Sequence, residues 1–213
     1  MRQDGHAGLQ GATGVFSRDK GLSAADLATL AKLGSVLPAL EELTLAEGSG
    51  SSGPDGVQRL AEGLVAGALP AVTSLAIAGM HVGDAGASAL AAALDRGALP
   101  RLKVLILVNA AIGDAGLAAL APALRRRSAL KQLCLGANPF GDEGLAALVA
   151  PPLAAGTPPP PAGGLKKLKV LSLDDTQVTD AGCATLAAAI SSGVLPALET
   201  LGLDGTRASE TRR

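Results

Sequence analysis

The side chains able to do chemistry in this chain are few and mostly acidic. Asp174 and Asp204 fall at the same place in a repeated pattern, with Asp175 next to the first, so the fold brings them near one another. Close carboxylates can share a proton or bind a cation. No histidine accompanies them: His6 lies in a Gly-rich N-terminal stretch and His81 stands alone in a loop. Cys134 and Cys183 have neither metal-type spacing nor a sequence neighbour that would activate a thiolate. There is no phosphate loop, dinucleotide fingerprint, zinc spacing or G-x-S-x-G. The acidic trio therefore reads as a solvated rim, and the sequence predicts no catalytic residue, no metal and no cofactor. Four further aspartates, Asp84, Asp114, Asp142 and Asp180, recur in GDAG, GDAG, GDEG and TDAG. At a helix start such a carboxylate accepts first-turn N–H groups and faces the positive dipole end, so the four are expected to be N-caps.

Composition sets the surroundings of these residues. The chain has 213 residues, 48% of them hydrophobic, with two Phe and no Trp or Tyr, so its core is aliphatic. Eighteen basic and 19 acidic residues leave a net charge of −1, with no general attraction to nucleic acid or anionic membrane. No run reaches the roughly 18 apolar residues of a membrane span, and no secretory signal opens the chain. The expectation is an intracellular, cytoplasmic protein with reduced cysteines, the nucleus not excluded.

The elements that position the aspartates repeat. The spacing L-x-x-L-x-L occurs at Leu40-Leu43-Leu45, Val72-Leu75-Ile77, Leu102-Leu105-Leu107, Leu130-Leu133-Leu135, Leu168-Leu171-Leu173 and Leu198-Leu201-Leu203. Successive starts lie 32, 30, 28, 38 and 30 residues apart. Alternation of this kind makes a short strand with one buried face. After each D-x-G, apolar residues such as Leu117, Leu120 and Leu124 follow at helical spacing. Closing phrases (GALP at 67–70 and 97–100, GVLP at 193–196) end the helices with a left-handed Gly and a Pro. Alternating strand and helix require parallel strands joined by right-handed crossovers.

This unit resembles the ribonuclease-inhibitor-like class of leucine-rich repeat, which shows LxxLxLxxN followed by a G-D-x-G helix start. The likeness covers about residues 22–206. It implies an α/β, right-handed solenoid: six short parallel strands on a concave face and helices on the convex face. Position 9, usually Asn, is Asn only at Asn138; Gly48, Met80, Ala110, Thr176 and Thr206 replace it elsewhere. A weaker ladder between turns is expected, and Pro122 is expected to kink or shorten its helix.

Residues 1–21 read as a disordered tail and 22–206 as the repeat domain, with helix 22–33 shielding its first strand. A Pro-rich insertion at 151–164 reads as a tolerated loop rather than a polyproline ligand, and 207–213 as a short polar tail. No helix follows the last strand motif, which implies a fragment, a truncated product or an edge open to association. A monomer is expected unless that edge pairs.

Residues between the buried leucines point to the concave face. Val104, Ile106 and Val108 share one strand there and, with Val170, form an apolar patch. Gln132 and Cys134 adjoin it, and Glu42, Glu47, Asp174, Asp175 and Asp204 mark its edges. Basic residues, including Lys103, Lys131, Lys169 and Arg125 to Arg127, line the opposite rim, where they complement helix C-termini. Without interleaved aromatics they do not suggest nucleic-acid binding. The function expected is a non-enzymatic scaffold that binds another protein through Val104, Ile106, Val108, Gln132, Cys134, Val170, Asp174, Asp175 and Asp204. The resemblance also admits a regulator of a small GTPase, of the Ran GTPase-activating type, or the sensor part of a larger receptor.

Overall fold

The computed structural model describes residues 13–33, 37–47, 55–64, 67–149 and 165–208. The Pro-rich insertion, most of the polar tail and the irregular turn 48–54 fall outside them. Strands and helices alternate: β1 Gly14–Arg18, α1 Ala24–Leu33, β2 Glu42–Ala46, α2 Gly56–Gly63, β3 Ser74–Ala78, α3 Gly83–Asp95, β4 Val104–Val108, α4 Asp114–Arg125, β5 Gln132–Cys134, α5 Asp142–Val149, β6 Val170–Ser172, α6 Asp180–Ser191 and β7 Thr200–Gly202. All seven strands pair in parallel and in chain order. One sheet backed by one layer of helices makes an αβ solenoid, each helix packed on the next.

The leucine triples carry this architecture. Leu43, Leu75, Leu105, Leu133 and Leu171 lie in one line across the sheet and are all buried, because parallel pairing keeps every strand in register. Leu90, Leu117, Leu120, Leu145 and Leu186 close the core from the helix layer.

The array has one strand more than the six expected. β1 lies within the stretch read as a disordered tail and pairs Gly14 with Glu42, an offset of 28 residues, one full period. Its inward position 17 is Ser where every other strand has Leu or Ile, which hid it from a leucine pattern, and the Ser17 hydroxyl is buried without a hydrogen-bond partner. Helix α1 is thus the helix of a first unit. Ser23 opens it with a capping box: Asp26 N–H donates to Ser23 Oγ (3.2 Å), and Asp26 Oδ2 accepts from Ser23 N–H (2.9 Å) and Oγ (2.7 Å). These bonds hold the Asp26 carboxyl below its usual range.

The expected aspartate N-caps are corrected. Asp114, Asp142 and Asp180 are the first residues inside their helices, and the caps are Gly113 for α4 and Thr179 for α6. The carboxylates of Asp84, Asp114 and Asp142 instead reach sideways to the next unit. Asp84 Oδ1 accepts from Gly113 N–H (2.7 Å) and Gly116 N–H (3.0 Å); Asp114 Oδ1 accepts from Gly141 N–H (2.8 Å) and Gly144 N–H (2.7 Å). Asp142 accepts from Thr179 N–H (2.8 Å) and Thr179 Oγ1 (2.6 Å). The closing glycine of each motif makes the room: a Cβ on Gly116, Gly144 or Gly182 would collide with Oδ1 of the preceding unit's aspartate.

The C-terminal ends are tied by arginines. Arg127 donates to the carbonyls of Leu94, Ala98 and Leu99 after α3, Arg125 to those of Ala147 and Leu148 in α5, and Arg96 to Ala61 and Leu64 at the end of α2. Helix α4 runs through Pro122 to Arg125, so the expected shortening does not occur. Gly67, Gly97 and Gly193 take the left-handed conformation expected after their helices.

Candidate functional site

The sheet face opposite the helices carries the candidate surface, and strand register decides which residues meet. Val104, Gln132 and Val170 form one row with Glu42, Ser74 and Thr200; Ile106 and Cys134 form the next with Phe16, Thr44, Ala76, Ser172 and Gly202. Val104, Ile106, Val108, Gln132, Cys134 and Val170 are all partly exposed. On the β3 side Val104, Ile106 and Val108 face the smaller Ser74, Ala76 and Ala78, so the β4 side chains stand up as a ridge above that flank; on the β5 side Val104 and Ile106 face Gln132 and Cys134. At ~4.8 Å per strand, seven strands offer a face about 29 Å wide. Gln132 Nε2 donates to Cys134 Sγ (3.4 Å), which orients the amide over β5.

The acidic residues are less alike than their spacing suggests. Asp174 Oδ2 accepts from Ser172 Oγ (2.6 Å) and its Oδ1 accepts from Asp204 N–H (2.9 Å), so it brackets β6 to the turn after β7. Gly202 permits this, since a Cβ there would lie 2.5 Å from Asp174 Oδ2. Asp175 and Asp204 are exposed, and Asp175 has a left-handed backbone with φ 55°. The trio is one structural acceptor beside two solvated carboxylates. Among the described residues no group of three or more His, Cys, Asp or Glu could hold a metal ion.

Glu47 does not belong to the edge of this face. It is 4% exposed, and its carboxylate accepts from the backbone N–H groups of Lys20, Gly21 and Leu22 at 3.0–3.3 Å, fastening the loop after β1. Two residues of the face were missed because their strand was. Phe16, 67% exposed, and Arg18 stand on β1 in the rows of Ile106 and Val108. The 28-residue offset back from β2 is the signal that could have found them.

Neither thiol is set up as a nucleophile. Cys134 and Cys183 are unpaired. Burial pushes the Cys183 thiol up, and the Asp180 and Asp142 charges push the same way, so thiolate is disfavoured. An apolar void of about 10 Å³ beneath β2 and β3, lined by Leu43, Val57, Leu60 and Leu75 among others, is about the room of one water. No helix among the described residues is long and apolar enough to cross a membrane.

The match to a family model agrees with the repeat architecture. Residues 99–121 and 164–187 match the family described as Leucine Rich repeat. No curated protein matches the chain. Among solved structures, the TLR13–ssRNA13 complex is similar at 16% identity and a TM-score of 0.40, over 94% of this chain. The chain spans 30% of the length of that structure's chain.

Proposed function

We propose that this chain, a leucine-rich-repeat protein, is a scaffold that binds a protein partner on the exposed face of its sheet. Leucine-rich repeats generally mediate protein–protein interaction and are generally non-enzymatic. The observation that carries the reading is the β4 ridge: Val104, Ile106 and Val108 stand in line on the solvent face, flanked by Ser74, Ala76 and Ala78 on β3 and by Gln132 and Cys134 on β5. Three aliphatic side chains on one strand form a contiguous patch, and the small-residue flank on β3 lets a partner approach it closely. Asp175 and Asp204 at the β6–β7 side add charge that favours a partner carrying a basic residue there. Helices in every unit support the ribonuclease-inhibitor-like class, and two unpaired, partly exposed thiols suit a reducing compartment.

The test is affinity capture from native cells with the full chain, with Ile106→Arg and with Asp204→Lys. Ile106→Arg places charge and bulk on the ridge without touching the core, so it should abolish capture of any protein retained specifically by the wild type. Asp204→Lys should weaken that capture. Equal capture by all three chains would refute the sheet face as the binding surface.

A further inference from the structure

The rim where the helix C-termini open carries two kinds of cation. Arg96, Arg125 and Arg127 donate to helix-end carbonyls. Lys103 and Lys131 do not: both are exposed, and neither side chain has a hydrogen bond or an ion pair among the described residues. Their backbones lie in register. Lys131 N–H donates to the Lys103 carbonyl (2.7 Å), Lys169 N–H to the Lys131 carbonyl (2.7 Å) and Glu199 N–H to the Lys169 carbonyl (2.9 Å). One row along the strand starts therefore reads Lys103, Lys131, Lys169, Glu199. Like charges on neighbouring strands, ~4.8 Å apart, repel. Arg101, Lys166 and Lys167, also exposed, adjoin the row in sequence. The chain as a whole has a net charge of −1, so this is a local concentration of positive charge and not a general excess.

The row itself shows what satisfies it. Lys169 Nζ donates to Glu199 Oε1 at 2.6 Å, a carboxylate brought by the next strand at the same register. Lys103 and Lys131 receive no such carboxylate. The place beside Lys103 towards β3 is Thr73, and residues 150–164, which lead into Lys166, include no acidic residue. Each lysine directly precedes a residue of the sheet face: Lys103 before Val104, Lys131 before Gln132 and Lys169 before Val170. The row is thus continuous with the β4 ridge. We propose that the protein partner of that ridge presents an acidic segment to Lys103 and Lys131, with carboxylates set against the lysines and an aliphatic side chain against Val104 and Ile106. The inference rests on the sheet-face reading and adds the partner's chemistry. Carboxylates about 5 Å apart, as three or four residues apart on a helix, would meet both lysines at once. Charge complementarity of this kind fixes the direction in which the partner lies, because Asp175 and Asp204 stand at the opposite, strand-end side of the face.

The test titrates the full chain into a fluorescent peptide of repeated Glu-Glu-Leu and reads anisotropy. Binding should be saturable, should weaken severalfold as salt rises from about 0.05 M to about 0.3 M, and should be absent with a Gln-Gln-Leu peptide. Lys103→Glu with Lys131→Glu should weaken it by about tenfold or more. Lys20→Glu with Arg59→Glu, the same change of net charge away from the row, should leave the affinity within about twofold. Lys131→Gln should not lower the thermal unfolding midpoint, because it removes a repulsion and no bond. The proposal is overturned if the wild type does not bind the Glu-Glu-Leu peptide or if the two charge-reversed chains lose binding equally. A lowered midpoint for Lys131→Gln would make the row a structural tie and overturn it too. Tighter binding of a DNA duplex than of the peptide would reassign the row to nucleic acid. Capture from native cells separates this inference from the reading beneath it. If Ile106→Arg loses the partner while Lys103→Glu with Lys131→Glu retains it in full, the ridge binds and the lysine row does not. If Ile106→Arg retains it, the sheet-face reading fails and this inference fails with it.

Discussion

The recurring aspartate shows how much of this fold rests on single side chains that join one unit to the next. For Asp142, burial pushes the carboxyl up, but the Thr179 hydroxyl and the N–H groups of Thr179 and Gly182 outweigh it, and the carboxyl ends below its usual range. A depressed folded-state value means that its contribution is complete above the unfolded-state pKa of about 4 and is lost as pH falls through the lower folded value. Asp142→Ala should therefore cost about 1–3 kcal/mol at neutral pH, the scale of charge-assisted bonds to one group. In urea titrations at stepped pH, that difference should shrink in acid; a constant difference from pH 7 to pH 2 would contradict the assignment. Asn138 does comparable work inside the turns. It is 2% exposed, accepts from Ala110 and Ile112 N–H (both 3.1 Å), and donates to the carbonyls of Leu107, Leu135 and Gly136. The position-9 threonines bond the carbonyl three residues back, as Thr176 does with Leu173 (2.7 Å) and Thr206 with Leu203 (2.8 Å). Met80 and Ala110 fill the place with buried apolar atoms. Asn138 was legible in the sequence because its role is local to a recognisable turn. The aspartate bracket was not, since D-x-G reads equally as a self-cap until the neighbouring helix is in place.

Among the elements, helix ends separate interactions of different worth. Arg126 and Asp95 form an exposed pair at 2.7 Å, whereas the adjacent Arg127 is partly buried and donates to three carbonyls behind α3. Exposed ion pairs contribute ~0–1 kcal/mol, while a part-buried guanidinium that donates to several carbonyls at a helix C-terminus makes charge-assisted bonds that also complement the helix dipole. Arg127→Ala should destabilise by about 1–2 kcal/mol and Arg126→Ala by less than about 0.5 kcal/mol; thermal unfolding of the two variants decides this, and equal effects would refute the ranking. The sequence placed these cations at helix C-termini but could not say which reached a carbonyl. Likewise it revealed six strands through their leucines and missed β1, where Ser17 breaks the hydrophobic spacing although the backbone pairs in full register. Parallel pairing to β2 can impose a strand on a segment whose own pattern is weak.

Over the whole molecule, position in the array sets the consequence of a change, because units touch only their neighbours. Leu105 and Leu201 occupy the same line of the sheet, but Leu105 is fully buried between two complete units and Leu201 only partly so at the last strand. Leu105→Ala should cost about 3 kcal/mol, a buried leucine cavity. It should also broaden the urea transition, since it severs the units on either side of β4. Leu201→Ala should cost about 1 kcal/mol or less and leave the slope unchanged, because the site already borders solvent. Ile106, one residue from Leu105 on the opposite face, gives the internal comparison: Ile106→Arg should stay within about 0.5 kcal/mol of the wild type, which is what makes it a fair probe of partner binding. The three urea curves are read together. Equal losses at Leu105 and Leu201 would mean that the array unfolds as one block with no end effect. A loss at Ile106 like that at Leu105 would mean that the ridge is core rather than surface, and the proposed binding face would fall with it.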